Sequence, residues 1–246
     1  GYTSAQKQGA SGTYTIGDTN QGADYPNFMK AVGHLFYEEY PFEWPYNDIP
    51  LLPAGDIVFE ILDGHYNVGS SFARYEHLFL SYFSTRFYLE DGEYRNPYTI
   101  TIRSQSKNAD AVFFHGHCSM LSLENVIIEY ITFIQDDSCD EWDEPRCLSL
   151  GDDSNVVVQN CKFLYPRTTA TRNYAGEESL IQISNLVTNV EIRNNIFDGA
   201  RMSIDINPSV GEGMDYDYNE ETKVYTFKYW DERARFTNEV CDEEGN

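Results

Sequence analysis

Three stretches of the chain repeat one alternation of apolar and polar positions. Asn125-Val-Ile-Ile-Glu-Tyr-Ile-Thr-Phe133, Asn155-Val-Val-Val-Gln-Asn-Cys-Lys-Phe163 and Asn189-Val-Glu-Ile-Arg-Asn-Asn-Ile-Phe197 share the pattern N-V-x-[IV]-x-[YN]-x-x-F. A shorter alternation precedes each copy: Leu121-Ser-Leu123, Leu148-Ser-Leu150 and Ile181-Gln-Ile183. Period-two alternation is the mark of a strand with one buried face. Val126 and Ile128, and their counterparts Val156 and Val158 or Val190 and Ile192, should point inward, with Glu129, Gln159 and Arg193 outward. The copies begin 30 and 34 residues apart, at 125, 155 and 189. A period of that size predicts a solenoid, whose units bury their apolar faces only by stacking on neighbours. Each coil is expected to hold two short strands, a corner and a returning aromatic, with Phe133, Phe163 and Phe197 stacked inside the tube. Asn160 and Asn194 fall at equivalent corners, where asparagine tolerates the left-handed conformation; Tyr130 stands there in the first copy.

The rest of the chain reads as additions to this shaft. Gly12 to Gly17 is a short strand, and Asp24-Tyr-Pro-Asn27 opens a helix with an apolar stripe of Phe28, Val32, Leu35 and Phe36. Such a helix would cover the open end of the first coil. Gly55 to Tyr66 is a strand with a turn at Asp63-Gly64, and Tyr98 to Arg103 and Ala111 to His115 are further strands. After Met202 to Ile206 the repeat stops, and Val224 to Trp230 reads as a hairpin that caps the far end. The expected fold is all-β: a right-handed parallel β-helix with an N-terminal capping helix and a C-terminal β-hairpin cap. Its divisions are 1–54 (arm, strand, helix and aromatic insertion), 55–207 (β-helix) and 208–246 (cap and tail).

Charge narrows the partners. Forty acidic residues against 17 basic ones give a formal charge of −23. Phosphate binding needs clustered Lys and Arg, so nucleic acid is not an expected partner. Acidic glycans would be repelled unless divalent cations intervene. No apolar run reaches membrane-spanning length and no signal peptide is visible; an opening at Gly1-Tyr-Thr-Ser is what a processed form would show. The five cysteines lack zinc-like spacing. Cys139 and Cys147 bracket an acidic loop and are the expected disulfide; Cys118 and Cys161 are a cross-coil pair or buried thiols, and Cys241 is left over.

The phrases Gly12-Thr-Tyr-Thr-Ile-Gly17, Asp24-Tyr-Pro-Asn-Phe28 and Gly55-Asp-Ile-Val-Phe-Glu-Ile-Leu-Asp-Gly-His-Tyr66 resemble the N-terminal unit of secreted β-helix proteins of Bacteroidota-like bacteria. The repeats are similar to the broader pectin-lyase-like superfamily. Together these resemblances cover roughly 12 to 66 and 97 to 207. They imply the β-helix fold and a secreted, extracellular or cell-surface location. They do not single out an activity, because that superfamily includes lyases, hydrolases, adhesins and inert shafts.

Candidate chemistry is thin on the predicted faces. A lyase on this fold needs a basic residue and metal-holding carboxylates, yet Thr99, Thr101, Arg103, Ser122, Ser149, Gln182, Ser203 and Asp205 make a bland outer face. A glycosidase needs paired carboxylates, and Asp136/Asp137 and Asp152/Asp153 are assigned to different corners. Asp136, Asp137, Asp140, Glu141 and Asp143 form a candidate calcium loop. Asp215-Tyr-Asp217-Tyr-Asn219 matches half of an EF-hand loop, and His115-Gly-His117-Cys118 places two histidines on one face of an extended strand. Tyr40, Phe42, Trp44, Tyr46, Tyr82 and Tyr88 could stack on sugar rings or dock a neighbouring subunit. The expected function is that of a non-catalytic structural or adhesive surface protein, a subunit of a larger assembly. The alternative is a carbohydrate-active enzyme, lyase or glycoside hydrolase, or a carbohydrate-binding module. Neighbouring protein subunits or surface glycans are the expected partners.

Overall fold

The computed structural model describes residues 10–36, 53–68, 87–88, 94–121, 124–139, 143–151, 154–169, 178–184, 187–207, 216–219 and 224–227. In chain order the elements are β1 (Gly12–Ile16), α1 (Phe28–Phe36), β2 (Ile57–Ile61), β3 (Gly64–Asn67), β4 (Phe87–Tyr88), β5 (Tyr94–Arg95), β6 (Ile100–Ser104), β7 (Val112–His115) and β8 (Cys118–Leu121). Then follow β9 (Glu124–Glu129), β10 (Thr132–Ile134), β11 (Arg146–Gly151), β12 (Ser154–Gln159), β13 (Lys162–Leu164), β14 (Ser179–Ser184), β15 (Thr188–Arg193), β16 (Ile196–Asp198) and β17 (Met202–Asn207). The antiparallel hairpin β18 (Tyr216–Asn219) and β19 (Val224–Phe227) comes last.

From β6 to β17 successive strands visit three parallel sheets in turn, so the chain stacks in solenoid-like coils, while β4 and β5 form a separate antiparallel pair. The sheets run β1-β2-β6-β9-β12-β15, β16-β13-β10-β7-β3 and β17-β14-β11-β8. Each repeat therefore contributes three strands, not two, because the residues around the returning phenylalanine form a short strand of their own. This also divides the outer face expected from the sequence. Thr101 and Arg103 lie in the six-stranded sheet, whereas Ser149, Gln182 and Asp205 line up with Ser119 in the four-stranded one.

Inward positions carry the core. Val126 and Ile128 are fully buried and in register with Ile100 and Ile102 before them and Val156 and Val158 after. In the second sheet Tyr66, Phe114, Phe133, Phe163 and Phe197 occupy one register row. Phe133 and Phe163 stack at 5.0 Å and 3°, and Phe163 and Phe197 at 5.3 Å and 13°. Adjacent strands lie ~4.8 Å apart, so a phenylalanine in every coil brings rings to stacking distance without distortion.

Asparagines in the left-handed conformation turn the coils. Asn160 and Asn194 have φ of 54° and 55°, and Tyr130 takes the same conformation at 57°. A second set was not evident from the pattern. Asn125, Asn155 and Asn189, which open the repeated phrase, have φ of 56°, 53° and 51°. Their side chains form a ladder: Asn189 Nδ2 donates to Asn155 Oδ1 at 2.5 Å, and Asn155 Nδ2 to Asn125 Oδ1 at 3.1 Å. Asparagine suits the position because it tolerates positive φ and its amide both donates and accepts along the stack. Asn155→Ala should therefore cost about 2 kcal/mol, from left-handed strain and two lost ladder bonds. Asn155→Gly, which removes only the bonds, should cost about half that in urea denaturation. Equal losses would mean that φ is not the constraint.

The N-terminal helix begins later than its sequence suggests. Asn27 Oδ1 accepts the Lys30 N–H at 2.9 Å and caps α1, so Pro26 lies outside the helix. Asp24 instead accepts from Thr15 N–H and Oγ1 of β1. Phe28, Ala31, Leu35 and Phe36 are buried, while Val32 is only partly so, and the Phe28 ring lies 4.8 Å from that of Phe59 in β2. The hairpin expected near the C-terminus is present. Asp217 and Asn219 sit in its first strand and not in a metal-binding loop.

Candidate functional site: a histidine relay on the second sheet

The outer face of the six-stranded sheet is closed on itself. Thr15, Glu60, Arg103, Glu129, Gln159 and Arg193 occupy one register row across all six strands. Arg103 Nη2 donates to Glu60 Oε1 at 2.9 Å, and its Nη1 lies 3.7 Å from Glu129 Oε1. Gln159 Nε2 donates to Glu129 at 2.7 Å and accepts from Arg193 Nε at 2.9 Å. An arginine clasped by two carboxylates is poorly placed to abstract a proton from a substrate.

Chemistry concentrates instead at the second sheet. His65, the second residue of β3, is exposed, and His115, the last residue of β7, is partly buried beside it. His65 Nδ1 lies 2.8 Å from His115 Nε2, and His115 Nδ1 lies 3.0 Å from Asp136 Oδ2. Asp136 Oδ1 in turn accepts from the Ser138 N–H and hydroxyl. With a carboxylate at one end, complementarity assigns the protons: His115 donates through Nδ1 and accepts at Nε2 from His65 Nδ1–H. His65 Nε2 is left as the outward end of the chain, and its ring is stacked on Phe113 at 4.5 Å and 11°. Burial lowers the His115 pKa; Asp136 pulls it upward, and His65 adds to the lowering. Burial raises the Asp136 pKa, yet the Ser138 hydrogen bonds and His115 outweigh it and hold the carboxyl below its usual value. The arrangement can hold a proton on an oriented imidazole at a solvent-facing edge.

His117 does not join this relay. Gly116, at φ 109°, breaks the strand between the two histidines and sends them in different directions. His117 is buried, with Nε2 2.7 Å from Ser149 Oγ and Nδ1 3.7 Å from Glu144 Oε2. Glu144 pairs with Arg146. Burial pushes the His117 pKa down to about 4, against the pull of Glu144 and with the help of Arg146. The two histidines therefore do not share a face, as an unbroken extended strand would have required.

The proposed calcium loop is divided in the same way. Asp136 faces His115, whereas Asp137 accepts from the N–H and hydroxyl groups of Thr168 and Thr169 on the next coil. These bonds hold its carboxyl well below the usual range. Asp143 is fully buried, and Asp140 and Glu141 lie outside the described residues. Among the described residues no three metal-capable side chains converge.

Cys139 and Cys147, where a disulfide was expected, are two thiols. Cys139 Sγ approaches Ile134 O at 3.8 Å, and Cys147 Sγ approaches Leu164 O at 3.4 Å, so each is turned to a different carbonyl. Cys118 and Cys161 are likewise buried thiols, both pushed up to about 12 by burial. Thiolate is the reactive form. Iodoacetamide should therefore leave Cys118, Cys147 and Cys161 unmodified in native protein and label all three in denaturant, as read by peptide mass. Fast native labelling would contradict their burial.

No protein-family model, curated protein or solved structure matches the chain. No helix among the described residues is long and apolar enough to cross a membrane. Of the aromatic positions singled out above, Tyr40, Phe42, Trp44, Tyr46 and Tyr82 lie outside the described residues, and Tyr88 is in β4, opposite Tyr94 of β5. His65 is the candidate-site residue missed in the sequence. The available signal was its place after the Asp63-Gly64 turn, but its pairing with His115 spans 50 residues.

Proposed function

We propose that the protein is a secreted, non-catalytic structural or adhesive shaft: a right-handed β-helix whose first coil is closed by α1. The observation that carries this reading is the row Glu60–Arg103–Glu129–Gln159–Arg193, paired from coil to coil on the broadest sheet. Neighbouring side chains there pair from coil to coil, an arrangement suited to holding coils together and not to seizing a substrate. The acidic surface, with a formal charge of −23, suits an extracellular medium. The test is a panel of neutral and acidic glycans incubated with purified protein. No reducing ends and no unsaturated products are expected. Their appearance with wild type, and disappearance with His65→Ala, would instead support a carbohydrate-active enzyme. That second reading is favoured by one feature only, the Asp136–His115–His65 relay, since an oriented imidazole is a competent general base.

A further inference from the structure

The last coil presents an apolar end. Its strands β15, β16 and β17 each close a sheet, so among the described residues each has one edge without a partner strand. Ile204 and Ile206 are in register with the buried Ile181 and Ile183, yet they are 40% and 50% exposed. Val190 and Ile192 are only partly buried where Val156 and Val158 before them are fully so. Two inward-type isoleucines exposed at the end of one sheet, with partly buried inward positions at the end of another, form a surface that calls for a covering element.

We infer that the hairpin β18–β19 of the same chain docks on this end and closes it. The hairpin begins at Tyr216, and the connection from Asn207 is residues 208–215, which can span up to ~27 Å when extended. A six-residue strand is about 20 Å long, so the whole end of the coil is within reach. The hairpin register places Tyr216 opposite Phe227 and Tyr218 opposite Tyr225. One period-two set is thus four aromatic positions, while the alternate set is Asp217, Asn219, Val224 and Thr226. That division suits an element with one face on an apolar surface and one in water. Tethering favours the hairpin over a second copy: a short connection gives an effective concentration on the order of millimolar, whereas the formal charge of −23 opposes self-association. The docked hairpin is independent of whether the shaft is structural or enzymatic.

Hydrogen exchange of the full-length chain tests this, read by mass spectrometry on the β17 peptide with β14 as internal reference. In Tyr218→Asp/Tyr225→Asp, β17 exchange should accelerate by about 100-fold while β14 is unchanged. Ile206→Ser should likewise speed exchange in the hairpin peptides, because it weakens the other side of the same contact. In wild type, β17 protection should not depend on protein concentration. Unchanged β17 exchange in the double variant would overturn the proposal. So would protection that grows with concentration alongside dimers in light scattering, which would assign the end to a second copy.

Discussion

Phe163→Ala should lower the unfolding free energy by about 3–5 kcal/mol, the largest loss expected from a single substitution here. Phe163 is fully buried and has a ring on each side, Phe133 at 5.0 Å and Phe197 at 5.3 Å. Truncation removes the transfer energy of the ring and both stacking contacts, and leaves a cavity between two rigid coils. The register hydrogen bonds of β13 to β10 and β16 hold those coils apart, so the cavity cannot collapse easily. Phe197→Ala should cost less, because Phe197 is only partly buried at the end of the stack. Urea denaturation followed by circular dichroism measures both. Equal losses at the two positions would show that the stack does not transmit packing from coil to coil.

Acid should destabilise the fold through buried histidine before it does so through the aspartates. His117 has its pKa lowered to about 4 from 6.5, mainly by burial. The unfolded chain therefore binds more protons than the folded chain in between, and stability rises with pH. The contribution is complete above about 6.5 and is lost as pH falls toward about 4, amounting to about 3 kcal/mol. His115, whose pKa is also lowered by burial, adds in the same direction. Asp136 and Asp137, both held below 3.8, add their losses only at lower pH. His117→Gln, which keeps a polar group near Ser149, should flatten the slope between pH 6.5 and 4 in denaturation series at successive pH values. A slope unchanged by that substitution would remove His117 from the account.

The inward residues and the phenylalanine stack were legible because equivalent positions recur 30 and 34 residues apart, and a period-two strand exposes its own pattern. The third strand of each coil was harder to read. β10, β13 and β16 have three residues each, too few to establish an alternation. The relay was not legible for a different reason. Whether His65 meets His115 depends on the register between β3 and β7, which follows from the conformation of everything between them. The same holds for Asp137, whose partners Thr168 and Thr169 lie one coil further on. Composition identified an acidic loop; only the register revealed that Asp136 and Asp137 face different partners.

The row on the six-stranded sheet also makes the coils individual. Along β6, β9 and β12 the interiors are nearly interchangeable, since Val or Ile fills the inward positions, but the outer residues are not: Arg103 has a glutamate on either side, and Gln159 both donates and accepts. Removing the coil that carries β6 would set Glu60 directly beside Glu129, two like charges in adjacent strands. Removing the coil that carries β12 would leave Glu129 facing Arg193, an acceptable neighbour. The shaft can therefore be shortened at one place and not at another. Its outer surface keeps a record of coil order that its core does not.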